Sequence, residues 1–461
     1  MSREHGGFTG LNPTEQRGAL SLAGIFALRM LGLFLILPVF ALYAEGLDGV
    51  TPMLVGLAIG VYGLTQALLQ IPFGMLSDRI GRKPVIIGGL LIFALGSVVA
   101  AVSEDINGII LGRALQGSGA IAAVIMALAA DLSREQRRLR MMAIIGMSIG
   151  AAFALSLVLG PLLNSWIGVP GIFWLTAVLA LAGVLVTIFL VPTPQRSQVH
   201  RDAEAIPGQF GQVLADRELL RLDFGIFALH MILTALFLAF PLALRDLGLI
   251  SDRHWQVYLP VMLVAMAAMV PFIVLAERKR RMKVIFVGAI AALMAAGLGL
   301  YLMYTSLAAL VILLIIFFTA FNLLEATLPS LIAKMAPAER KGTAMGVYSS
   351  SQFIGAFAGG VLGGWIQTHH GLAGVFLFCG GVAMVWLLLA WGMADPKYLS
   401  NYLLPVGNMQ EDDAALLAKK LLEVDGVAHA VVIAEDGLAY LKVDLANFDE
   451  NALDAYCLDQ G

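Results

Sequence analysis

Apolar residues along this chain fall into twelve long runs separated by short polar segments. The runs lie near 19–43, 51–74, 84–102, 108–131, 140–164, 169–191, 222–245, 255–276, 282–303, 306–330, 340–366 and 371–392. A helix needs roughly 20 apolar residues to cross the hydrocarbon core of a bilayer. The pattern therefore predicts an all-α polytopic membrane protein with twelve transmembrane helices and little chain between them.

Composition and charge agree with this prediction. Of 461 residues, 59% are hydrophobic and only 13% are charged, whereas soluble domains carry about 25% charge. Lys and Arg concentrate in the short loops on one side of the predicted spans, and only Arg245 and Arg253 lie in the loops of the other side. Basic short loops mark the cytoplasmic side. We therefore expect both termini in the cytoplasm, an uncleaved first span, and no binding of nucleic acid.

The chain repeats itself at a spacing of about 200 residues. Gly24–Met30 reads GIFALRM and Gly225–Met231 reads GIFALHM, and Gly160 falls opposite Gly363 at nearly the same offset. Transporters are commonly built from such repeats, with the substrate bound between them near the midplane. We expect two pseudo-symmetric six-helix bundles, at 1–191 and 222–396. A cytoplasmic linker at 192–221 joins them, in which 210–222 is predicted as a short amphipathic helix.

The composition changes after residue 396 to that of a small soluble domain at 397–461. Strands are predicted at 398–406, 427–434 and 438–444, and helices at 411–424 and 449–458. This βαββα order is one strand short of the ferredoxin-like βαββαβ unit, so one edge of the sheet is expected to be open. Cys379 and Cys457, the two cysteines, form no CxxC metal or redox motif.

The loop after the second predicted span carries the most specific motif, Gly74-Met-Leu-Ser-Asp78-Arg79-Ile-Gly81-Arg82-Lys83. Glycine allows two helix ends to approach closely, and a carboxylate facing guanidinium groups forms charge-assisted hydrogen bonds. The motif suits a conformational lock. The alternative is that these charges only set the membrane topology.

Ionisable residues within predicted spans are functional candidates by default, because a charge in the bilayer is costly. Arg29, Arg113, His230 and Glu325 are such residues. We expect Glu325 to be the principal proton carrier, assisted by His230 and biased by Arg29. The alternative is a fixed buried cluster, and for Arg113 a side chain that extends to the membrane interface.

Polar and aromatic residues on inward-tending spans are predicted to line a substrate cavity. They are Tyr62, Gln66, Gln70, Gln116, Asn322, Tyr348 and Gln352. Each of them is equally suited to join one helix to another by a hydrogen bond. No catalytic motif, phosphate loop or metal-ligand cluster is evident, so an enzyme, a cofactor and a bound metal are not expected.

The loop motif, together with Arg113-Ala-Leu-Gln-Gly-Ser-Gly119 and Lys341-Gly-Thr-Ala-Met-Gly-Val-Tyr348, resembles the signatures of the major facilitator superfamily, in its drug–proton antiporter branch. The resemblance implies alternating access in the inner membrane, driven by protons, with export of a small molecule. It also implies that Asp78 and Arg79 form a cytoplasmic network with Asp131, and that Arg113 takes part in proton movement.

The antiporter signature itself is incomplete. The fifth predicted span keeps Gly160-Pro161, but Ser156 and Asn164-Ser165 stand where that signature has glycines. Proton-coupled uptake of a solute therefore stays open. So does a sensor or assembly platform that acts through the C-terminal domain, by self-association or by ligand binding.

Overall fold

The computed structural model describes residues 11–194, 205–395, 399–407, 409–435, 437–444, 447–448, 452–453 and 456. We number its elements in chain order. The helices are α1 (Pro13–Phe34), α2 (Leu37–Ala44), α3 (Pro52–Ile80), α4 (Arg82–Val102), α5 (Ile106–Ser118), α6 (Ala122–Asp131), α7 (Glu135–Phe189), α8 (Phe210–Ala215), α9 (Arg217–Asp246), α10 (Trp255–Arg278), α11 (Met282–Met303), α12 (Leu307–Met335), α13 (Lys341–Trp391) and α14 (Glu411–Leu421). The strands are β1 (Ser400–Pro405), β2 (Val427–Ile433) and β3 (Leu438–Val443).

Ten helical segments in the described part of the chain are long and apolar enough to cross a membrane. Two of them are far too long for one crossing: α7 has 55 residues and α13 has 51, or about 75 Å or more if straight. Each reverses at a glycine with positive φ, Gly168 at 66° and Gly371 at 65°. Each therefore supplies two spans, and the prediction of twelve transmembrane helices is confirmed.

Helix starts follow from local capping residues. At α1, the Asn12 side chain accepts a hydrogen bond from the Glu15 amide at 2.8 Å, and the Glu15 carboxylate accepts one from the Asn12 amide at 2.9 Å, with Pro13 at the first helical position. Asp216 caps α9 in the same manner, through the amides of Glu218 and Leu219. Because Asp216 begins a new helix, the predicted helix at 210–222 is divided into the short α8 and the start of α9.

The helices form two bundles, α1–α7 and α9–α13, in which the sequence repeat is visible in space. Arg17 near the start of α1 donates to the carbonyls of Phe189 and Leu190 at the end of α7, both at 2.9 Å. Arg221 near the start of α9 donates in the same way to the Gly392 carbonyl, at 2.7 Å, just after α13. Cations that meet exposed carbonyls at helix ends are favourable, and the two bundles use them at equivalent places.

We call the end of the molecule with the basic loops the basic face, and the other end the opposite face. The C-terminal domain lies on the basic face. Its sheet is antiparallel with the order β1-β3-β2, and α14 and Leu453 contribute to its core. The three strands and the first helix agree with the ferredoxin-like prediction. The last predicted helix, at 449–458, and Cys457 lie mostly outside the described residues, as do residues 195–204 of the linker.

Candidate functional site

The interior of the first bundle holds two buried arginines around one tyrosine. Arg29 and Arg113 are each 1% exposed, and their guanidinium carbons lie 5.8 and 5.1 Å from the centre of the Tyr62 ring. Arg29 donates to the Gln66 amide oxygen. No carboxylate lies within 4 Å of either arginine in the described part of the chain. The two arginines therefore make the interior of the first bundle positively charged.

Arg113 is held inside the bundle and does not extend to an interface. It donates to the Ala58 carbonyl at 3.3 Å and to the Gln116 amide oxygen at 2.7 Å. Gln116 in turn donates to Ser97 on α4 at 2.8 Å. Gln116 therefore joins α5 to α4 and orients Arg113. Of the other predicted cavity residues, Gln66 accepts a hydrogen bond from Arg29, and the Tyr62 ring packs against both arginines.

The second bundle carries the opposite charge. His230 on α9 and Glu325 on α12 approach to 3.9 Å between Nε2 and Oε2, and the Gln352 amide lies 2.8 Å from the same His230 nitrogen. The Glu325 side chain is 37% exposed, although its Oε2 atom is buried without a hydrogen bond in the described chain. The structure thus brings together three of the predicted residues. Arg29 contacts none of them.

Tyr348 and Asn322 lie in the same bundle with unused polar atoms. Asn322 and Glu325 are neighbours on one face of α12, three residues apart. Within the described residues, the Tyr348 hydroxyl and the Asn322 amide nitrogen are buried without hydrogen-bond partners. Gln70 instead joins the two bundles, because its amide donates to Ser350 on α13 at 2.6 Å.

Sequence reasoning missed a further buried carboxyl in this bundle, that of Asp223. Asp223 is 4% exposed and stands only one residue after the predicted start of its span. Because it lies at the predicted boundary of the span, Asp223 is not among the ionisable residues that the sequence places within the membrane. A single aspartate within an apolar run was the signal that could have found it.

Sequence reasoning also missed an aromatic barrier between the bundles, formed by Phe34, Phe153, Phe318 and Phe321. The Phe153 ring of the first bundle lies 5.1 Å from Phe34, 6.3 Å from Phe318 and 5.6 Å from Phe321. Phe321 precedes Glu325 by one helical turn on the same face of α12. Because α12 runs toward the basic face, Glu325 lies on the basic side of the barrier.

The two bundles also meet on the opposite face. A Cβ on Gly56 of α3 would lie 2.0 Å from the Gly360 carbonyl oxygen of α13, so only glycine permits this approach. Arg245 forms an ion pair with Glu45 across the same face, and the Asn164 amide lies 3.3 Å from Ser251. This conformer is therefore closed on the opposite face.

The predicted lock residues gather on the basic face around one arginine. Arg82 forms ion pairs with Asp78 and, at 3.2 Å, with Asp131, and it donates to Ser77 at 2.7 Å. Gly81, at φ 96°, makes the turn between α3 and α4, and Gly74 faces Ala123 of α6. Arg79 is exposed. Arg82, more than Arg79, thus connects α3, α4 and α6.

The C-terminal domain is anchored to the end of α12, the helix that carries Glu325. Lys442 of β3 donates to the carbonyls of Ala333 and Lys334 at 3.0 and 2.8 Å. Asp444 pairs with Arg280 at 3.4 Å. Burial lowers the pKa of Lys442 to about 8, and the nearby charge of Lys341 adds to this effect.

Comparisons with known proteins agree with this architecture. The model of the Major Facilitator Superfamily matches residues 22–359 and 293–404. The chain is 48% identical over 435 residues to the inner membrane transport protein YajR of Escherichia coli (strain K12), covering 94% of this chain and 95% of that one. It is 36% identical over 382 residues to an uncharacterized transporter of Buchnera aphidicola subsp. Schizaphis graminum, covering 83% of this chain and 98% of that one.

Solved structures share the fold at lower sequence identity. A bacterial homolog of the human lysosomal transporter Spinster, in an inward-facing and occupied conformation, superposes with a TM-score of 0.69 at 15% identity. The match covers 83% of this chain and 97% of that one.

Proposed function

This chain belongs to the major facilitator superfamily, and on that premise we propose that it is a proton-coupled secondary transporter that exports small amphipathic compounds by alternating access. The inner-membrane location of the relative YajR supports placing this chain in the inner membrane. The basic face is then cytoplasmic and both termini lie inside. Protons enter from the opposite face and leave at the basic face.

The observation that carries this proposal is the position of Glu325. Its carboxyl lies 3.9 Å from His230, and Glu325 follows Phe321 of the aromatic barrier by one helical turn. A carboxyl passes a low-dielectric barrier far more easily when it is protonated than when it is charged. Opening and closing of the barrier would expose Glu325 to one side and then to the other, so that a bound proton is carried across.

Charge and aromatic character support an amphipathic substrate. Arg29 and Arg113 lie in one bundle and Glu325 in the other, while Tyr62 and the aromatic barrier supply apolar surface between them. Substrate sites combine a mostly apolar lining with a few placed polar groups. The same interior serves a compound that has a charged group and an aromatic body.

The network around Arg82 supports a lock that changes with the transport cycle. Asp78, Arg82 and Asp131 tie the basic ends of α3, α4 and α6 into one unit. Such a unit moves as a rigid body when the bundles rock, which is the motion that repeat-built transporters use.

Proton release from inside-out vesicles tests the proposal. The vesicles would be energised to an acidic interior, and a pH-sensitive dye would report the protons that leave when ethidium, tetraphenylphosphonium or deoxycholate is added outside. Glu325→Gln should abolish the release and keep substrate binding. Glu104→Gln serves as the matched control, because Glu104 is an exposed residue of a loop on the opposite face.

The same vesicles separate export from uptake. Proton release that requires the compound outside, at the cytoplasmic surface, supports antiport. Release that occurs only when the vesicles are preloaded with the compound indicates symport and contradicts export. Release that is unchanged in Glu325→Gln contradicts the role of Glu325.

One observation also favours a regulatory role for the C-terminal domain. Lys442 binds the last carbonyls of α12, about 13 Å along the helix from Glu325. Docking and release of the domain would therefore act on the helix that carries the proposed proton carrier. Deletion of 397–461 should change the rate of transport while leaving the compounds that are transported the same.

A further inference from the structure

Asp223 is a buried carboxyl that the proposed cycle has not yet used. It is 4% exposed. In the described chain neither carboxylate oxygen has a hydrogen-bond partner, and no cation lies within ion-pair distance. A buried carboxylate without a partner is unfavourable, and binding a proton removes that charge.

Helix geometry places Asp223 on the basic side of the Glu325 site. Asp223 and His230 are seven residues apart on α9, which puts them on one face and about 10 Å apart along the axis. Asp223 is therefore displaced by two helical turns from the His230–Glu325 pair, in the direction of the basic face. The aromatic barrier lies on the other side of Glu325.

Tyr348 provides a hydroxyl, unpartnered in the described chain, near the depth of Asp223 on the helix that packs against α9. Its position, seven residues after the start of α13, matches the depth of Asp223, six residues after the start of α9. The two helices pack closely, since Gly355 and Gly359 of α13 contact the backbone of Phe227 and Met231. The Tyr348 hydroxyl is buried and has no hydrogen-bond partner among the described residues.

Among the described residues, few other charged groups lie on the helices that surround Asp223. Glu325 lies on α12 and Tyr348 on α13, and both helices pack against α9. His230 and Arg221 lie on α9 itself, where Arg221 is engaged by Glu218 and the Gly392 carbonyl. The short α8, which also packs on α9, has no charged side chain.

We propose that Asp223 is a second protonation site, which receives the proton of Glu325 through Tyr348 and releases it at the basic face. The inference rests on the proposed proton coupling. Neither carboxyl hydrogen-bonds the Tyr348 hydroxyl in this conformer, so the transfer takes place when movement of α12 and α13 brings the three groups within reach. The O–H bond of the Glu325 carboxyl then breaks as its proton binds the Tyr348 hydroxyl oxygen. The hydroxyl gives up its own proton to an Asp223 carboxylate oxygen, and Asp223 then releases that proton to water. Each acceptor gains one proton and each donor loses one.

Infrared difference spectroscopy of the full chain in lipid detects this site without a known substrate. A protonated carboxyl has a carbonyl-stretch band that disappears on ionisation and shifts in D₂O. A pH titration of the wild type should show bands from Glu325 and Asp223, which, unlike the buried carboxyls of Glu15 and Asp131, form no ion pair with an arginine among the described residues. Asp223→Asn should remove one band, Asp223→Glu should shift it, and Glu325→Gln should remove the other. Asp246→Asn is the matched control, since Asp246 is an exposed, ion-paired residue on the same helix.

Time resolution tests the role of Tyr348. After a jump to high pH, Tyr348→Phe should keep both bands but slow the ionisation of Glu325 by about a hundredfold, the lower range for loss of a positioned proton-transfer group. Two bands that persist in Asp223→Asn, or an Asp223→Glu variant without a shift, would overturn the proposal.

The vesicle assay distinguishes this inference from the proposed function. Wild-type vesicles without proton release from any of the three compounds count against proton-coupled export of that class, while the infrared band of Asp223 remains a separate result. If ethidium does release protons, Asp223→Asn should slow that release about a hundredfold and leave ethidium–ethidium exchange unchanged. If ethidium–ethidium exchange in Asp223→Asn falls as much as proton release does, Asp223 has a structural role and the proposal is contradicted.

Discussion

Phe153 of the first bundle and Phe321 of the second meet with ring centroids 5.6 Å apart, and Glu325 follows Phe321 by one helical turn. Phe321, which contacts the first bundle, and Glu325, the proposed proton carrier, thus lie on the same face of α12. Any rocking motion that separates these rings also changes the surroundings of the Glu325 carboxyl.

Removal of the Phe321 ring should therefore make the protein leak protons. An aromatic pair contributes about 1 kcal/mol beyond its buried area, so Phe321→Ala should populate the open barrier about fivefold more. Dye-loaded proteoliposomes without substrate would measure the leak, and Phe272→Ala, at an exposed position, provides the control. An unchanged leak in Phe321→Ala would show that the ring does not seal the pathway.

Closure of the opposite face should depend on the absence of a side chain at Gly56. A methyl group there would collide with the Gly360 carbonyl, so Gly56→Ala should hold this face open and stop transport. Gly288→Ala should have little effect, because no atom of the described residues lies within 4 Å of a Cβ at that position. Labelling of a cysteine at position 55 by an impermeant maleimide, in a background without Cys379 and Cys457, should rise in Gly56→Ala only. Equal labelling in both variants would contradict the closed contact.

Substitution of Arg82 and substitution of Arg79, the two arginines compared in the loop motif, should differ strongly in their effect on thermal stability. Arg82 is 4% exposed and pairs with Asp131, whose side chain is fully buried. Removal of one partner of a buried pair costs about 3 kcal/mol, so Arg82→Ala should lower thermal stability. The exposed Arg79→Ala should stay within about 0.5 kcal/mol of the wild type. Similar losses in both variants, measured by thermal unfolding in detergent, would contradict the central role of Arg82.

Docking of the C-terminal domain should strengthen at high pH. Burial lowers the pKa of Lys442 to about 8, whereas a free lysine has a pKa of about 10.4. The docked state therefore binds the proton less tightly than the undocked state. Desolvation of the charged Lys442 side chain opposes docking to its full extent below pH 8. This cost decreases as the pH rises toward 10, because the docked side chain loses its proton.

Hydrogen exchange at the end of α12 would measure this docking. Protection of that end should rise between pH 8 and 10 in the wild type, after correction for the intrinsic exchange rate. Lys442→Met should lose the pH dependence, and about 1–2 kcal/mol of docking with it. The exposed Lys420→Met should behave as the wild type does. A pH dependence that survives in Lys442→Met would assign the effect to another group.

Much of the architecture was determined by the sequence alone. Twelve apolar runs, the basic loops and the 200-residue repeat specify two helical bundles, because the bilayer requires about 20 apolar residues for each span. The predicted breaks between residues 164 and 169 and between residues 366 and 371 coincide with the turns at Gly168 and Gly371. The first four elements of the C-terminal domain also follow from local pattern. The loop motif indicated which charges gather on the basic face.

Only the tertiary structure decided which of these residues meet. Arg29 and His230 occupy equivalent places in the repeat, yet Arg29 contacts Gln66 and Tyr62, while His230 contacts Gln352 and Glu325. Partner choice depends on side chains from helices that lie far apart in sequence, and periodicity carries no information about it. For the same reason the roles of Asp223, of the Phe153–Phe321 contact and of Lys442 at the end of α12 became visible only after the helices were packed.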